Sequence, residues 1–171
     1  KHASELIPVI KEHGDFCVGG ACYPEVHPES ADSWSDIDNM KYKVEAGCDF
    51  LTTQMFFDNN IFFNYLYKLR DAGIRVPVVA GIMPVTNAKQ MERIHKLSQA
   101  FLPHRFVALL DKFHDNPAAM RQAGIAYATE QIIDLIASGI NNIHIYTMNK
   151  PETAAEIQEN LSEIIPSCKK N

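Results

Sequence analysis

The stretch Val76-Pro77-Val78-Val79-Ala80-Gly81-Ile82-Met83 is apolar at odd and even positions alike, apart from Pro77 and Gly81. A strand with one wet face alternates; a strand apolar on both faces is covered on both. Helical-period segments flank this one. Upstream, Asp58 or Asn59 caps a helix predicted to run through Leu69 and to stop at Gly73; downstream, Pro84-Val85-Thr86-Asn87 leads into a helix predicted to reach about Ala100. A buried strand set between helices is the signature of a parallel α/β sheet covered on both sides.

The same alternation extends to both ends of the chain. A first helix starts near Ser4, with Pro8 in its first turn, and Gly14 closes it. Phe16 to Cys22 reads as a strand in which Gly19 and Gly20 suggest a close backbone approach. From about Ser33 to Ala46, Trp34, Ile37, the Lys41 stem and Val44 recur at helical spacing, and Gly47 ends the helix. Asp49 to Phe57 is a strand rich in β-branched and aromatic residues. Helices follow at Pro103 to Phe113 and Asn116 to Ser138, the second with Asn116 as cap, Pro117 as first residue and Gly139 as stop. Asn142 to Met148 is the last strand, and Pro151 opens a final helix to about Ile164. No repeat, linker or low-complexity segment divides residues 1–171, which read as a single domain.

Composition narrows the function classes. Lys plus Arg number 16 against 21 Asp plus Glu, a net charge of −5, and no basic run exists to track phosphates. Nucleic acid and anionic membrane surfaces are therefore poor partners. No apolar stretch approaches the roughly 20 residues that span a bilayer, and no leader opens the chain, so a cytoplasmic location is expected. The four cysteines, Cys17, Cys22, Cys48 and Cys168, fall at no metal-ligand spacing and read as reduced thiols. No metal site is expected.

In parallel α/β folds the site lies beyond the carboxyl ends of the strands. Those ends read Tyr23-Pro24-Glu25-Val26-His27, then Gln54 with Phe56-Phe57-Asp58, then Pro84 to Asn87, then Tyr146-Thr147-Met148-Asn149. Gln54 sits inside an apolar strand, so its amide must find a partner or meet a ligand. Asp36, Asn39 and Lys43 stand at i, i+3 and i+7, on one helix face. That face is either solvated or turned over the preceding loop to hold a ligand with hydroxyls and phosphate. His27, between two prolines, is either a locally bonded loop histidine or a rigidly presented imidazole. Glu92-Arg93-Ile94-His95 matches a di-iron ligand pair but has no second copy. The aromatic cluster Phe56, Phe57, Phe62, Phe63, Tyr65 and Tyr67 reads mostly as core.

Five segments in order, Tyr23-Pro24-Glu25-Val26-His27-Pro28-Glu29, Lys43-Val44-Glu45-Ala46-Gly47, Thr53-Gln54-Met55-Phe56-Phe57-Asp58, Gly81-Ile82-Met83-Pro84-Val85 and His144-Ile145-Tyr146-Thr147-Met148-Asn149, resemble the second half of the methylenetetrahydrofolate reductase family. The resemblance covers essentially the whole chain. It implies a (β/α)8 TIM barrel, of which this chain supplies strands 5 to 8 with their helices, because such barrels take about 250 residues. It implies FAD held by Tyr23, His27, Glu29, Ser30, Asp36, Asn39 and Lys43, with Lys43 charged against the pyrophosphate. It implies that Gln54 meets folate and nicotinamide over the flavin, and that Gln90, Tyr146 and Lys150 are further substrate contacts.

The implied reaction is reduction of 5,10-methylenetetrahydrofolate to 5-methyltetrahydrofolate, with NAD(P)H as co-substrate, in a ping-pong scheme through the flavin. Three positions depart from the family pattern: Tyr42 stands in place of a basic residue, Ile94 in place of an aromatic, and Lys150 in place of an arginine. The family's general acid, a glutamate from the first strand, is absent from this chain, so the chain is expected to be inactive alone. Exposed strand edges would make the bare half-barrel self-associate, and a homo-oligomer or pairing with the missing N-terminal half is expected. The alternatives are a non-catalytic folate- or flavin-binding or assembly subunit from the same barrel, or another barrel enzyme such as a flavin-dependent proline dehydrogenase or an aldolase. Retention of Tyr23, His27, Asp36, Asn39, Lys43 and Gln54 argues against pure scaffolding. No strand carries a Schiff-base lysine for an aldolase.

Overall fold

A computed structural model describes residues 2–89, 91, 94 and 100–167. Its contacts divide the chain into two compact units, Lys1–Gln54 with Asn60–Ala80, and Met55–Asn59 with Gly81–Asn171.

The first unit holds α1 (Ala3–Glu12), β1 (Gly19–Cys22), α2 (Ser33–Glu45), β2 (Phe50–Thr53), α3 (Asn59–Asp71) from Asn60 onward, and the start of β3 (Val78–Ile82). β1 and β2 pair in parallel with Gly19 beside Phe50 and Cys22 beside Thr53; β2 and β3 pair in parallel with Leu51 beside Val78. The parallel α/β arrangement expected from the two-faced apolar runs is present. Gly19 and Gly20 are where backbone and side chains crowd: a β-carbon on Gly19 would lie 2.4 Å from the Phe50 ring, and one on Gly20 2.9 Å from Cys48 Sγ.

Three details of this unit differ from the sequence reading. α1 begins at Ala3, with His2 as its cap and the Glu5 carboxylate accepting from the His2 N–H at 2.9 Å. Pro8 therefore lies inside the helix, beyond the first turn, and denies the Ser4 carbonyl its usual donor. In α2 the buried residues are Asp36, Ile37, Met40 and Lys43, while Trp34 is 60% exposed and Lys41 is exposed. The inward face is thus rotated from the one marked by Trp34; the helix is capped by Asp32, which accepts from the N–H groups of Trp34 and Ser35 at 2.9 and 2.8 Å. Finally, the strands are shorter than the apolar runs that contain them. Phe56 and Phe57, which belong to the second unit, are buried without being in a strand, so burial extends further along the chain than ladder pairing does.

The second unit holds the Gly81–Ile82 end of β3, α4 (His104–Phe113), α5 (Pro117–Ala137), β4 (Ile143–Ile145), α6 (Pro151–Asn160) and the short α7 (Ile164–Ser167). β4 lies beside the end of β3, and the Tyr146 N–H donates to the Ile82 carbonyl at 2.9 Å. The predicted helix after Asn87 is seen as helical residues at Ala88, Lys89, Met91 and Ile94. Gln90, Glu92, Arg93 and His95 lie outside the described residues, as does Cys168. The core of this unit packs Phe57, Met83, Val85, Met91, Phe106 and Met120, with the Phe57 and Phe106 rings stacked at 4.5 Å. α5 starts as expected: Asn116 accepts from the Ala119 N–H at 3.1 Å, and Pro117 occupies the first turn. Among the described residues no helix is long and apolar enough to cross a membrane, and no cluster of three or more His, Cys, Asp or Glu could hold a metal ion.

Candidate functional site

In the first unit the chain leaves β1 through two successive turns. Tyr23-Pro24-Glu25-Val26 closes with the Val26 N–H on the Tyr23 carbonyl at 3.2 Å; His27-Pro28-Glu29-Ser30 closes with the Ser30 N–H on the His27 carbonyl at 2.9 Å. Proline stands second in each, where its fixed φ suits a turn. Val26 joins them with φ +74°, a left-handed conformation unusual for a β-branched residue. The two leading side chains then meet, the Tyr23 and His27 rings touching edge to face with centroids 4.4 Å apart.

Beyond these turns α2 supplies the inner wall. Asp36 is only 2% exposed and accepts from the Ser30 hydroxyl at 3.0 Å. Lys43 is 9% exposed, and its ammonium donates to the Ala21 carbonyl at 2.5 Å. Burial holds Lys43 below its usual value, opposed by the neighbouring Cys22, Cys48 and Asp36. Cys22, at the end of β1, is pushed up to about 12 by burial and stays a thiol. The solvated-face reading of the helical trio therefore fails for Asp36 and Lys43, although Asn39 is exposed.

All seven residues expected at a cofactor site, Tyr23, His27, Glu29, Ser30, Asp36, Asn39 and Lys43, line one cavity of about 440 Å³. That volume lies in the small-molecule range. The wall also includes His2, Ala3, Ser4, Ala21, Met40 and Tyr42. The start of α1 was missed as a contributor; the only trace of it in the sequence was a helix N-terminus of unknown direction. The polar set is mixed: a cation, two carboxylates, two hydroxyls, an amide and an imidazole. Such a set suits a polyhydroxylated phosphate ester better than an apolar ligand.

Gln54 lies one residue past β2, not inside it, and is half-buried; its N–H donates to the Cys22 carbonyl at 2.7 Å. β1 and β2 thus end together, which fixes where Gln54 leaves the sheet.

In the second unit, Tyr146 is half-buried with its ring 4.6 Å from that of His144, and Lys150 is exposed at the cap of α6. Between them Met148 and Asn149 take φ +50° and +62°. Sequence reading did not foresee how Met55–Asn59 is held. From α5, the Tyr127 hydroxyl donates to the Phe57 carbonyl at 2.6 Å, and the Gln131 amide to the Phe56 carbonyl at 3.3 Å. The Asn59 amide donates to Asp134 at 2.6 Å and to the Gln131 carbonyl at 3.0 Å. Tyr127, Gln131 and Asp134 share a helix face. A separate groove of about 340 Å³ in this unit is lined mainly by Ile132, Ile136, Ile143, Ile157 and Leu161 and is apolar.

Residues 1–162 match the family model described as methylenetetrahydrofolate reductase. A 5,10-methylenetetrahydrofolate reductase of Pectobacterium carotovorum is 32% identical over 91% of this chain and 52% of its own length. Methylenetetrahydrofolate reductase 2 of Saccharomyces cerevisiae is 38% identical over 98% of this chain and 28% of its own. Methylenetetrahydrofolate reductase (NADH) 1 of Zea mays is 36% identical over 95% and 29%. The chain spans about half the length of the bacterial relative and under a third of the other two. Among solved structures, an uncharacterized protein from Clostridium thermocellum that binds two copies of 5-methyl-5,6,7,8-tetrahydrofolic acid superposes with a TM-score of 0.66 at 15% identity, over 94% of this chain and 59% of that one. At that identity the likeness is one of fold.

Proposed function

Because this chain belongs to the methylenetetrahydrofolate reductase family, we propose that it is the cofactor- and substrate-binding part of an FAD-dependent oxidoreductase that reduces 5,10-methylenetetrahydrofolate to 5-methyltetrahydrofolate with NAD(P)H. The observation that carries the reading is the single cavity lined by Tyr23, His27, Glu29, Ser30, Asp36, Asn39 and Lys43. Its donor set fits a dinucleotide cofactor. Lys43 offers charge to phosphate, while Asp36, Ser30 and Asn39 offer partners for ribityl or ribose hydroxyls. A flavin, when bound, supplies hydride transfer between nicotinamide and folate, in two half-reactions on one face.

The protein's part is to bind and orient. Gln54, tied at its backbone to the end of β1, positions folate and nicotinamide in turn. Gln90, Tyr146 and Lys150 are proposed as further substrate contacts, with Lys150 a weaker bidentate partner than an arginine would be. The folate ligand of the Clostridium thermocellum neighbour and the NADH in the name of the Zea mays relative agree with these substrates. We place the chain as one domain supplying strands 5 to 8 of a (β/α)8 barrel. No general acid is assigned among its residues, so the 171 residues are proposed to be inactive alone.

The test is an anaerobic visible spectrum of the protein expressed from its complete gene. A flavin band that bleaches with NADH or NADPH and returns on adding methylenetetrahydrofolate supports the reductase. A colourless protein that cannot be reconstituted with FAD sinks it and leaves a folate-binding or assembly subunit.

A further inference from the structure

We infer that the hydrogen bonds from α5 to residues 56–59 position Gln54, and that Tyr127 and Gln131 are positioning residues for the reaction of both substrates. The inference rests on the role proposed above for Gln54 and deepens it.

Met55–Asn59 belongs to the second unit with α5, and Gln54 precedes it by one peptide bond. From Gln54 to Asp58 the chain is neither strand nor helix, so no repeating hydrogen-bond pattern sets its peptide planes. Phe56 and Phe57 are buried. Apolar packing has no direction: it holds the two rings but does not set the tilt of the peptides beside them. α5 supplies that direction. The Tyr127 hydroxyl donates to the Phe57 carbonyl at 2.6 Å, and the Gln131 amide to the Phe56 carbonyl at 3.3 Å. Gln131 and Asn59 also bond reciprocally. The Gln131 amide donates to Asn59 Oδ1 at 3.3 Å, and the Asn59 amide to the Gln131 carbonyl at 3.0 Å and to Asp134 at 2.6 Å.

The donors are themselves held. The Tyr127 ring lies 4.9 Å from that of Phe106 and 5.8 Å from the Arg105 guanidinium, which is ion-paired to Glu130. Burial pushes the Tyr127 phenol up to about 12, so it remains a donor at neutral pH. Gln131 is buried. Two successive carbonyls thus receive side-chain donors from one helix whose own rotamers are locked by packing and pairing. That is how a supporting layer holds a working residue in place.

The consequence falls on Gln54. Its own N–H is fixed on the Cys22 carbonyl at 2.7 Å, and only Met55 separates it from the first residue that α5 holds. Gln54 serves nicotinamide and folate in turn, so loosening the α5 contacts slows both half-reactions alike. The cofactor cavity is lined by residues of the first unit and keeps its affinity.

The test compares wild type, Tyr127→Phe, Gln54→Ala and the double variant, each expressed from the complete gene. Tyr127→Phe keeps the packed ring and removes only the hydroxyl. Stopped-flow rates per bound flavin, for reduction by NAD(P)H and for reoxidation by methylenetetrahydrofolate, should each fall about three- to tenfold, less than the roughly hundredfold cost of a 1 Å misplacement. FAD affinity should stay within about twofold of wild type, and adding Tyr127→Phe to Gln54→Ala should change the rates by less than about twofold, because the group being positioned is gone. Unchanged rates in Tyr127→Phe, which a merely structural hydroxyl would give, overturn the inference. So does an undiminished effect in the Gln54→Ala background, or an FAD affinity that falls with the rates. A second readout needs no flavin. In glutamine-labelled protein the Gln54 side-chain amide resonance, identified by its absence from Gln54→Ala, should shift or split in Tyr127→Phe; an unmoved resonance overturns the inference. Wild-type protein that takes up no FAD defeats the reductase reading instead, and the amide resonance then decides the positioning by itself.

Discussion

A β-carbon on Gly20 would stand 2.8 Å from Lys43 Cδ, so the lysine stem crosses β1 only where the strand carries no side chain. Gly20→Ala should therefore displace Lys43 and lower FAD affinity without touching the ligand. Lys43→Met should weaken FAD by about ten- to a hundredfold, the range of a charge-assisted hydrogen bond. The same lysine has a signature without ligand. Its folded pKa lies below the ordinary 10.5. At lower pH it is charged in both states, and the burial penalty is fully present. As pH rises from the depressed value toward 10.5, the folded state sheds its proton first, the unfolded chain binds more protons, and stability rises. Urea unfolding followed across that window should show this gain in wild type relative to Lys43→Met; parallel curves would contradict it. The thiols separate in a similar way. Cys17 is exposed and Cys22 is buried with its thiol pushed up to about 12, so iodoacetamide at mild alkaline pH should label Cys17 and spare Cys22 until the protein is unfolded. Peptide mass mapping reads the difference.

At the scale of elements, α5 is the strut of the second unit. A β-carbon on Gly124 would lie 1.8 Å from the Val85 carbonyl oxygen, which is backbone and cannot swing aside. Gly124→Ala should destabilise by about 1–3 kcal/mol or more, as overpacking does. Gly139→Ala meets nothing within 4 Å and pays only for its φ of +86°, about 1 kcal/mol. Chemical denaturation midpoints should rank the two in that order. One and two turns along from Gly124, Tyr127 and Gln131 hold the carbonyls of Phe57 and Phe56. Gln131→Met removes the amide that donates to the Phe56 carbonyl and to Asn59 Oδ1, and the expected loss is about 1–3 kcal/mol, the scale of two hydrogen bonds. None of this clamp was legible in the sequence. Tyr127 and Phe57 are 70 residues apart, and no local pattern announces that a polar stripe on a helix points at a backbone. The buried face of α2 was misjudged for a related reason. Trp34 marked the apolar stripe by residue type, yet the helix buries Asp36 and Lys43 and leaves Trp34 out, because what lies opposite is a polar cavity.

At the scale of the whole molecule, a ligand that binds only the folded state must stabilise it. FAD at a hundredfold excess over its dissociation constant should add about 2.7 kcal/mol to the unfolding free energy of the complete protein. Asp36→Ala should abolish most of that gain at the same FAD concentration. An unchanged gain would remove Asp36 from the site.

The order of strands and helices and the parallel sheet were readable from the chain alone, because each depends on local chemistry: apolar runs, caps, prolines at turn positions, helical spacing. Local spacing also put Asp36, Asn39 and Lys43 on one helix face, while the grouping of the post-β1 loop residues with them came from the family resemblance. Sequence likewise placed the tight contacts at Gly19 and Gly20. The tertiary structure decided the rest. It set which face of α2 turns inward, ended the strands short of their apolar runs, brought the start of α1 to the cavity wall, and aimed Tyr127 and Gln131 at distant carbonyls. Those outcomes depend on which groups meet across long separations, and burial and hydrogen bonding at such meetings outweigh the local preferences that a sequence displays.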